Sequence, residues 1–458
     1  MHSRYTSLPA MTTLRPGQWL RCADSRAACR IEAPIGDGGQ GEVYRVTLDG
    51  EPYALKWYHP VVLRIDATLR ARLQVAIDHG APSSSFLWPF ELVTLPDGTG
   101  LGYLMRLRQP GYLKVQSVLS GEVRPGFRVL AMLGWQLTDA LLALHSKGLT
   151  YQDLNAGNVF FDPGTGAIEL CDNDNVDIDG APSVMGGVWE FQAPEVVLRQ
   201  AGPSRATDLH SLAVMLFRLL HLGHPLVGRC ELEYPNLADP QVLRRLYGTH
   251  ARFVFDPADE RNRPLPERHG PVIGHWAIYP EALRRLFTRA FTQGLYDPLH
   301  GRVQETEWRR ALRQLHDSVL ACPHCGAQNF YDPQRLALGQ RSFACWGCAT
   351  PLPAAPRRIG IRARGAKPGE SPAHVVVLDD GAQLYAHHFG EPADASAHLA
   401  RAVFEGGPEP ALRNRARGPW RAWHAGEAAP VSVAPGERLA LAPGLRVDFG
   451  HTVGELKF

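Results

Sequence analysis

Tyr151-Gln152-Asp153-Leu154-Asn155-Ala156-Gly157-Asn158 is the stretch on which the fold of this chain turns. An Asp and an Asn stand five positions apart, and Gly157 allows a tight loop between them. Helix-like sequence from Ala140 to Gly148 leads in, and the apolar pair Val159-Phe160 leads out. Such a loop can hold a carboxylate where it takes a hydroxyl proton and an amide where it binds a metal ion. D-L-x-x-x-N also arises by chance, so its meaning depends on its surroundings.

Upstream, Gly36, Gly38 and Gly41 form G-x-G-x-x-G. A dinucleotide-binding fingerprint opens a helix after its last glycine. Here Glu42-Val43-Tyr44-Arg45-Val46 alternates and reads as a returning strand. A hairpin of this kind can fold over phosphates and offer them backbone N–H groups; a plain Gly-rich hairpin is the alternative. After the turn Asp49-Gly50, Pro52 to Tyr58 reads as a third strand with Lys56 inside it. A lysine there costs desolvation unless an anion meets it or it snorkels at an edge. Asp66 to His79 reads as an amphipathic helix. No Glu occurs between Glu51 and Glu91, so Gln74 is the residue placed to hydrogen-bond Lys56, without neutralising it. Asp66 and Asp78 are less well placed. Strands around Phe86–Val93 and Gly102–Leu107 complete a small β-rich lobe of about five strands and one helix.

Downstream, the turn Asp162-Pro163-Gly164-Thr165-Gly166 predicts a hairpin between Val159-Phe160-Phe161 and Ala167-Ile168-Glu169-Leu170. That hairpin brings Asn158 close to Asp172, in Cys171-Asp172-Asn173-Asp174-Asn175-Val176. Two oxygen ligands then aim at one hard cation, which suits Mg²⁺ shared with nucleotide phosphates. A calcium loop starting at Asn175 fits partly, through Gly180, but fails at Gly186, where a Glu is required. Ala193-Pro194-Glu195 follows, and Arg302 is the candidate cation for a buried Glu195. Residues 225–275, rich in Pro, Arg and Asp, read as an irregular insertion between helical stretches.

Cys322-Pro323-His324-Cys325 and Cys345-Trp346-Gly347-Cys348 are two C-x-x-C knuckles with nineteen residues between them. Each can set two thiolates on one turn, and Cys322, Cys325, Cys345 and Cys348 together close a tetrahedral, structural Zn²⁺ site. Redox-active pairs are the alternative, but neither knuckle has a βα context. The basic stretch Arg357 to Arg364 reads as a solvated linker, and a nucleic-acid partner is not expected. From 371 onward, short strands with Pro-Gly turns indicate a β-sandwich.

The chain has 458 residues, 45% hydrophobic and 21% charged, with a formal net charge of +2. This is ordinary for a globular protein of about three domains. No uninterrupted run approaches the ~18 apolar residues of a membrane-spanning helix, and the start lacks the apolar core of a signal peptide. No membrane association is expected, and the expected location is cytoplasmic.

Glycine loop, strand lysine, Asp and Asn of the central loop, metal Asp and Ala-Pro-Glu occur in protein-kinase order and spacing. The chain resembles a eukaryotic-like bacterial Ser/Thr protein kinase. More narrowly, Phe86-Leu87-Trp88-Pro89, Cys171 to Val176 and the cysteine ribbon resemble the kinase of the tellurite-resistance-associated phosphorylation triad. With Leu412-Arg413-Asn414 and Trp420, the tail is similar to a forkhead-associated domain. It lacks Ser-Arg-x-His, so a protein-interaction module is expected rather than a phosphothreonine reader.

The resemblance implies an α+β fold: a bilobal kinase followed by a small zinc ribbon and a C-terminal β-sandwich. The expected divisions are a lead-in at 1–27 with an edge strand, an N-lobe at 28–110, a C-lobe at 111–320, a ribbon at 321–353, a linker at 354–370 and a sandwich at 371–458. It implies that Gly36, Gly38 and Gly41 cover the ATP phosphates, that Lys56 grips them, and that Ile35, Val43 and Ala54 pack on adenine. Asn158 and Asp172 would hold Mg²⁺, and Asp153 would orient the substrate hydroxyl and take its proton. The implied partners are a protein substrate, a von Willebrand factor A-type protein and a metal-dependent protein phosphatase. Gln74, Gln152, Asn155 and Asn173-Asp174 depart from the usual kinase letters. Only Ser183 carries a hydroxyl between Asp172 and Glu195, so activation-loop phosphorylation is not the expected switch. An ATP-binding pseudokinase scaffold is the alternative to an active enzyme.

Overall fold

A computed structural model describes residues 14–179, 187–332, 343–353, 355–367, 370–392 and 397–458. Gly180, Ser183 and Gly186 lie outside the described residues, as do residues 1–13 of the lead-in. The chain divides into two compact units: Met1–Arg124 with Leu137–Ile273 and Leu286–Thr306, and Pro125–Gln136 with Gly274–Arg285 and Glu307–Phe458.

The first unit begins with six antiparallel strands that close into a barrel in the order β1-β2-β3-β4-β6-β5. These are β1 (Trp19–Cys22), β2 (Ala28–Asp37), β3 (Gly41–Leu48), β4 (Glu51–Tyr58), β5 (Glu91–Thr94) and β6 (Gly102–Met105). The edge strand expected in the lead-in is β1. It is not left at an edge, because it pairs with β2 on one side and β5 on the other. Leu20 and Cys22 are buried while Trp19 and Arg21 face outward, the period-2 pattern that lets a strand cover a core. Tyr44, Val46, Leu55 and Leu104 fill the same core.

Two glycines let these strands approach. A Cβ on Gly41 would lie 2.1 Å from the Trp57 carbonyl oxygen, and one on Gly102 would lie 2.6 Å from that of Lys56. Helices Pro60–Ile65 and Leu69–His79 follow β4, one more than expected. The second buries Leu69, Leu73 and Ala76.

The rest of this unit is mostly helical. The hairpin Val159–Phe161 with Ile168–Leu170 forms as expected, Leu170 facing Val159. Helix Arg205–His221 carries a Ser204 capping box and is buried along nearly its whole length. The stretch read as an irregular insertion contains helix Pro240–Arg244 and the kinked helix Pro266–Ile278, with Pro271 inside it. Helix Phe127–Ser146, whose first ten residues are counted with the second unit, is long and apolar enough to cross a membrane. Arg128 and Asp139 interrupt its apolar run, and most of it is buried, as in a core helix.

In the second unit, hairpins Val319–Ala321/Gln328–Phe330 and Phe343–Ala344/Pro351–Leu352 carry the two cysteine knuckles. Beyond them, a six-stranded and a four-stranded antiparallel sheet share one core that includes Ile361, Val376, Phe404, Leu412, Trp420 and Val447. The basic linker expected at 354–370 is corrected here. Arg358–Ala363 is a strand of the six-stranded sheet, paired with His374–Val377 and with Thr452–Lys457. Ile359 and Ile361 are buried between arginines that point outward or are only partly covered. The alternation, not the charge, decided the local structure.

Candidate active site

Strand β4 carries Lys56 from the barrel toward the loop after Leu170. Lys56 is 4% exposed, and its ammonium meets three side chains. Its Nζ lies 2.8 Å from Asp174 Oδ2, 3.4 Å from Asp172 Oδ1 and 3.2 Å from Gln40 Oε1, in the glycine hairpin. Tyr58 donates its hydroxyl to Asp174 Oδ2 at 2.6 Å. Burial alone would drive the proton off Lys56. The charges of Asp174 and Asp172 outweigh it and hold the ammonium above the ordinary lysine value. Burial likewise opposes ionisation of Asp174, but Lys56 and Tyr58 keep its pKa below the usual carboxylate range.

Gln74 does not reach Lys56. Its amide donates to Asp78 Oδ1 at 3.0 Å, one helical turn away. Asp66 is taken by Arg72 and by Thr68. The charge partner of the strand lysine is therefore Asp174, two residues after the metal-type Asp172. The signal was present in the sequence as the second letter of Asn173-Asp174. Asn173 is fully buried and donates to the carbonyls of Leu87 and Leu170, tying this loop to Phe86-Leu87-Trp88-Pro89.

The opening loop is held from below. Asp208, on helix Arg205–His221, accepts from the backbone N–H of Tyr151 at 2.6 Å and of Gln152 at 3.1 Å. His145 joins Asp208 (3.0 Å) to Glu305 (2.5 Å), and Arg205 closes the network on Glu305 at 2.7 Å. Burial works against protonation of His145, but hydrogen bonds to Asp208 and Glu305 raise its pKa to about 9. The side chain of Tyr151 donates to the Cys171 carbonyl oxygen, linking this loop to the next. Gln152 and Asp172 both adopt left-handed backbone, with φ of 66° and 54°. Non-glycine residues seldom sit there, and the two flank the site.

Asn158 donates to the Asp153 carbonyl oxygen at 3.0 Å and to its carboxylate at 3.3 Å. The Cys171 N–H donates to the Asn158 carbonyl oxygen at 3.0 Å, which brings Asn158 beside Asp172. Burial raises the pKa of Asp153, and Val188 offers it a backbone N–H at 3.4 Å. Asn155 accepts from Gly157 N–H and donates to the Asp153 carbonyl oxygen, so it braces the loop. Gly36 faces Val43 across the hairpin, and Val43 faces Lys56 in β4. Ala54 is buried, Val43 half-buried and Ile35 exposed. Arg302 meets Glu195 at 2.7 Å, the expected ion pair.

Lys56 thus contacts Asp172 and Asp174, Asn158 contacts Asp153, and the backbone bond from Cys171 to Asn158 joins the two groups. Two carboxylates and an amide beside a glycine hairpin and a buried ammonium offer oxygen donors to a hard cation and positive charge to phosphates.

In the second unit, the Sγ atoms of Cys322, Cys325, Cys345 and Cys348 lie within 4.8 Å of one another. Cys322 and Cys348 are 3.7 Å apart, and Cys325 and Cys345 are 3.6 Å apart. A tetrahedron with Zn–S bonds of ~2.3 Å has edges of ~3.8 Å, so the four residues fit zinc. Asn329 and the Gly347 N–H both donate to Cys345 Sγ, outer contacts typical of a thiolate ligand.

Residues 114–256 match the protein kinase domain. The chain is 28% identical over 246 residues to the serine/threonine-protein kinase pkn2 of Myxococcus xanthus, covering 49% of this chain and 28% of that protein. It is 30% identical over 254 residues to ribosomal protein S6 kinase alpha-4 of Mus musculus, covering 52% and 30%. The chain spans less than a third of the length of either relative. The similarity over this part of the chain is to protein kinases, one of them named as a serine/threonine-protein kinase.

Proposed function

We propose that this chain is an ATP- and Mg²⁺-dependent kinase that phosphorylates Ser or Thr hydroxyls of a protein substrate. The observation that carries the reading is the convergence of Lys56, Asp172, Asn158 and Asp153 on one loop cluster. Gly36, Gly38 and Gly41 cover the phosphates, and Ile35, Val43 and Ala54 form the apolar walls of the adenine site. Lys56 grips the phosphates while Asp174 holds its ammonium in place. Asn158 and Asp172 hold Mg²⁺, which when bound neutralises phosphate charge. Asp153 orients the attacking hydroxyl and accepts its proton at a carboxylate oxygen. Catalysis rests on positioning and charge rather than on covalent chemistry. The buried Asp174 stands in for the absent helix Glu as the residue that holds Lys56 ready. Single-turnover transfer from γ-labelled ATP, wild type against Asp153→Asn, tests the reading. Equal incorporation with retained ATP binding would favour the pseudokinase scaffold.

The cysteine ribbon, read as a zinc ribbon, and the paired sheets, read as a forkhead-associated-like sandwich, serve as the module that recruits partners. The likeness of Phe86-Leu87-Trp88-Pro89 and Cys171 to Val176 to the triad kinase supports a von Willebrand factor A-type protein and a metal-dependent phosphatase as those partners. Pull-down of purified partners of those two kinds by the full chain, with and without ATP, tests that assignment; retention of neither would overturn it.

A further inference from the structure

Four side chains far from the kinase loop in sequence converge in the second unit. Asp317 ends helix Glu305–Asp317, His374 opens strand His374–Val377, and His387 and His388 lie in the 3-10 turn Ala386–Phe389. One ligand-type atom from each lies within 4.8 Å of the others. Asp317 and His388 are buried, with His374 and His387 half-buried. The ring centroids of His374 and His387 are 5.1 Å apart.

The hydrogen bonds sort these groups into ligands and support. His388 Nδ1 accepts the Tyr385 N–H at 2.9 Å, so its proton sits on Nε2, which meets Asp317 Oδ2 at 2.9 Å. His388 therefore orients the carboxylate, as outer partners of metal ligands do. His387 differs: both of its ring nitrogens are shielded from solvent and meet no hydrogen-bond partner among the described residues. Two unmet imidazole nitrogens in such a place need an explanation. Asp317 and His374 also line a cavity of about 220 Å³, with Gln314, Ser318 and Tyr331 among its other walls.

We propose that His374, His387 and Asp317 bind a divalent first-row transition metal, zinc foremost, in a second site distinct from the cysteine cluster. Imidazole and carboxylate suit zinc, and three protein ligands leave a fourth position for water on the cavity side. The inference stands apart from the kinase reading, since none of these residues belongs to that constellation.

Elemental analysis of the full chain tests it. Wild type is expected to hold about two metal equivalents, Cys325→Ser to keep the histidine-site equivalent, and His387→Gln to lose it while keeping the cysteine-bound one. Zinc-edge X-ray absorption on wild type supplies a readout independent of folding in the variants. Mixed sulfur and nitrogen/oxygen scattering is expected. Purely sulfur scattering, with metal content unchanged in His387→Gln, would overturn the proposal.

Discussion

Lys56 and Asp174 form a buried ion pair at 2.8 Å, the lysine 4% and the aspartate 3% exposed. The lysine sits on a barrel strand and the aspartate in a short 3-10 turn 118 positions later. Removing one partner of such a pair leaves an uncompensated buried charge, typically at a cost of ~3–5 kcal/mol. Asp172 at 3.4 Å offsets part of that. Asp174→Asn is therefore expected to lower stability by about 2–4 kcal/mol in denaturant titration and to weaken ATP binding about tenfold or more. Gln74→Ala is expected to leave stability within about 0.5 kcal/mol and ATP affinity within about twofold, because Gln74 bonds its helical neighbour Asp78 and not Lys56. A larger effect at Gln74 than at Asp174 would refute this assignment of the lysine's partner.

Two glycines of the hairpin separate folding from binding. A Cβ at Gly41 would sit 2.1 Å from a backbone oxygen, whereas one at Gly38 meets nothing closer than 3.8 Å. Gly41→Ala is expected to lower the melting temperature, at a cost of about 1–3 kcal/mol for overpacking. Gly38→Ala is expected to melt like wild type and, on the proposed reading of the hairpin as a phosphate cover, to bind ATP more weakly. Calorimetry and nucleotide titration read the two effects separately.

The His145 network gives a pH dependence of definite sign. His145 moves from an ordinary 6.5 up to about 9 on folding, so its contribution is complete below pH 6.5 and is lost as pH rises through 9. Glu305 moves from 4.5 down to about 2, so its share is complete above 4.5 and is lost as pH falls through 2. Urea unfolding of wild type is expected to lose on the order of 2 kcal/mol between pH 6.5 and 9. His145→Gln is expected to be less stable at pH 6.5 and nearly flat over that window. Parallel curves would remove His145 as the cause.

The cysteine cluster predicts a metal-dependent local fold. If the four thiolates hold zinc as proposed, Cys325→Ser is expected to lower the zinc content and the melting temperature of the transition that contains Trp346, whose indole N–H donates to the Gln328 carbonyl oxygen at 2.7 Å. Tryptophan fluorescence during chelator challenge checks this.

The residues that made the fold legible are those whose chemistry is improper elsewhere: a lysine inside a strand, a glycine against a backbone oxygen, four thiols at ribbon spacing. Asn158 and Asp172 are legible together because the short hairpin Val159–Phe161 with Ile168–Leu170 joins them, whereas Lys56 meets Asp172 across 116 positions. Asp174 is not legible as the lysine's partner because the pair spans 118 positions, and Gln74 on the following helix lies nearer in sequence. Asp208, His145 and Glu305 meet across 63 and 160 positions, and no local periodicity records that. In Arg357 to Arg364 the charge points to a linker, while Ile359 and Ile361, two positions apart, mark the buried face of a strand.

The most direct measurement is single-turnover incorporation of label from γ-labelled Mg–ATP by the full chain, into itself or into dephosphorylated casein, with ATP affinity measured beside it. Asp153→Asn is expected to bind ATP within about twofold of wild type and to transfer at least ~100-fold more slowly, the usual worth of a positioned general base. Equal transfer by the two proteins would contradict Asp153 as the proton acceptor and the kinase mechanism built on it.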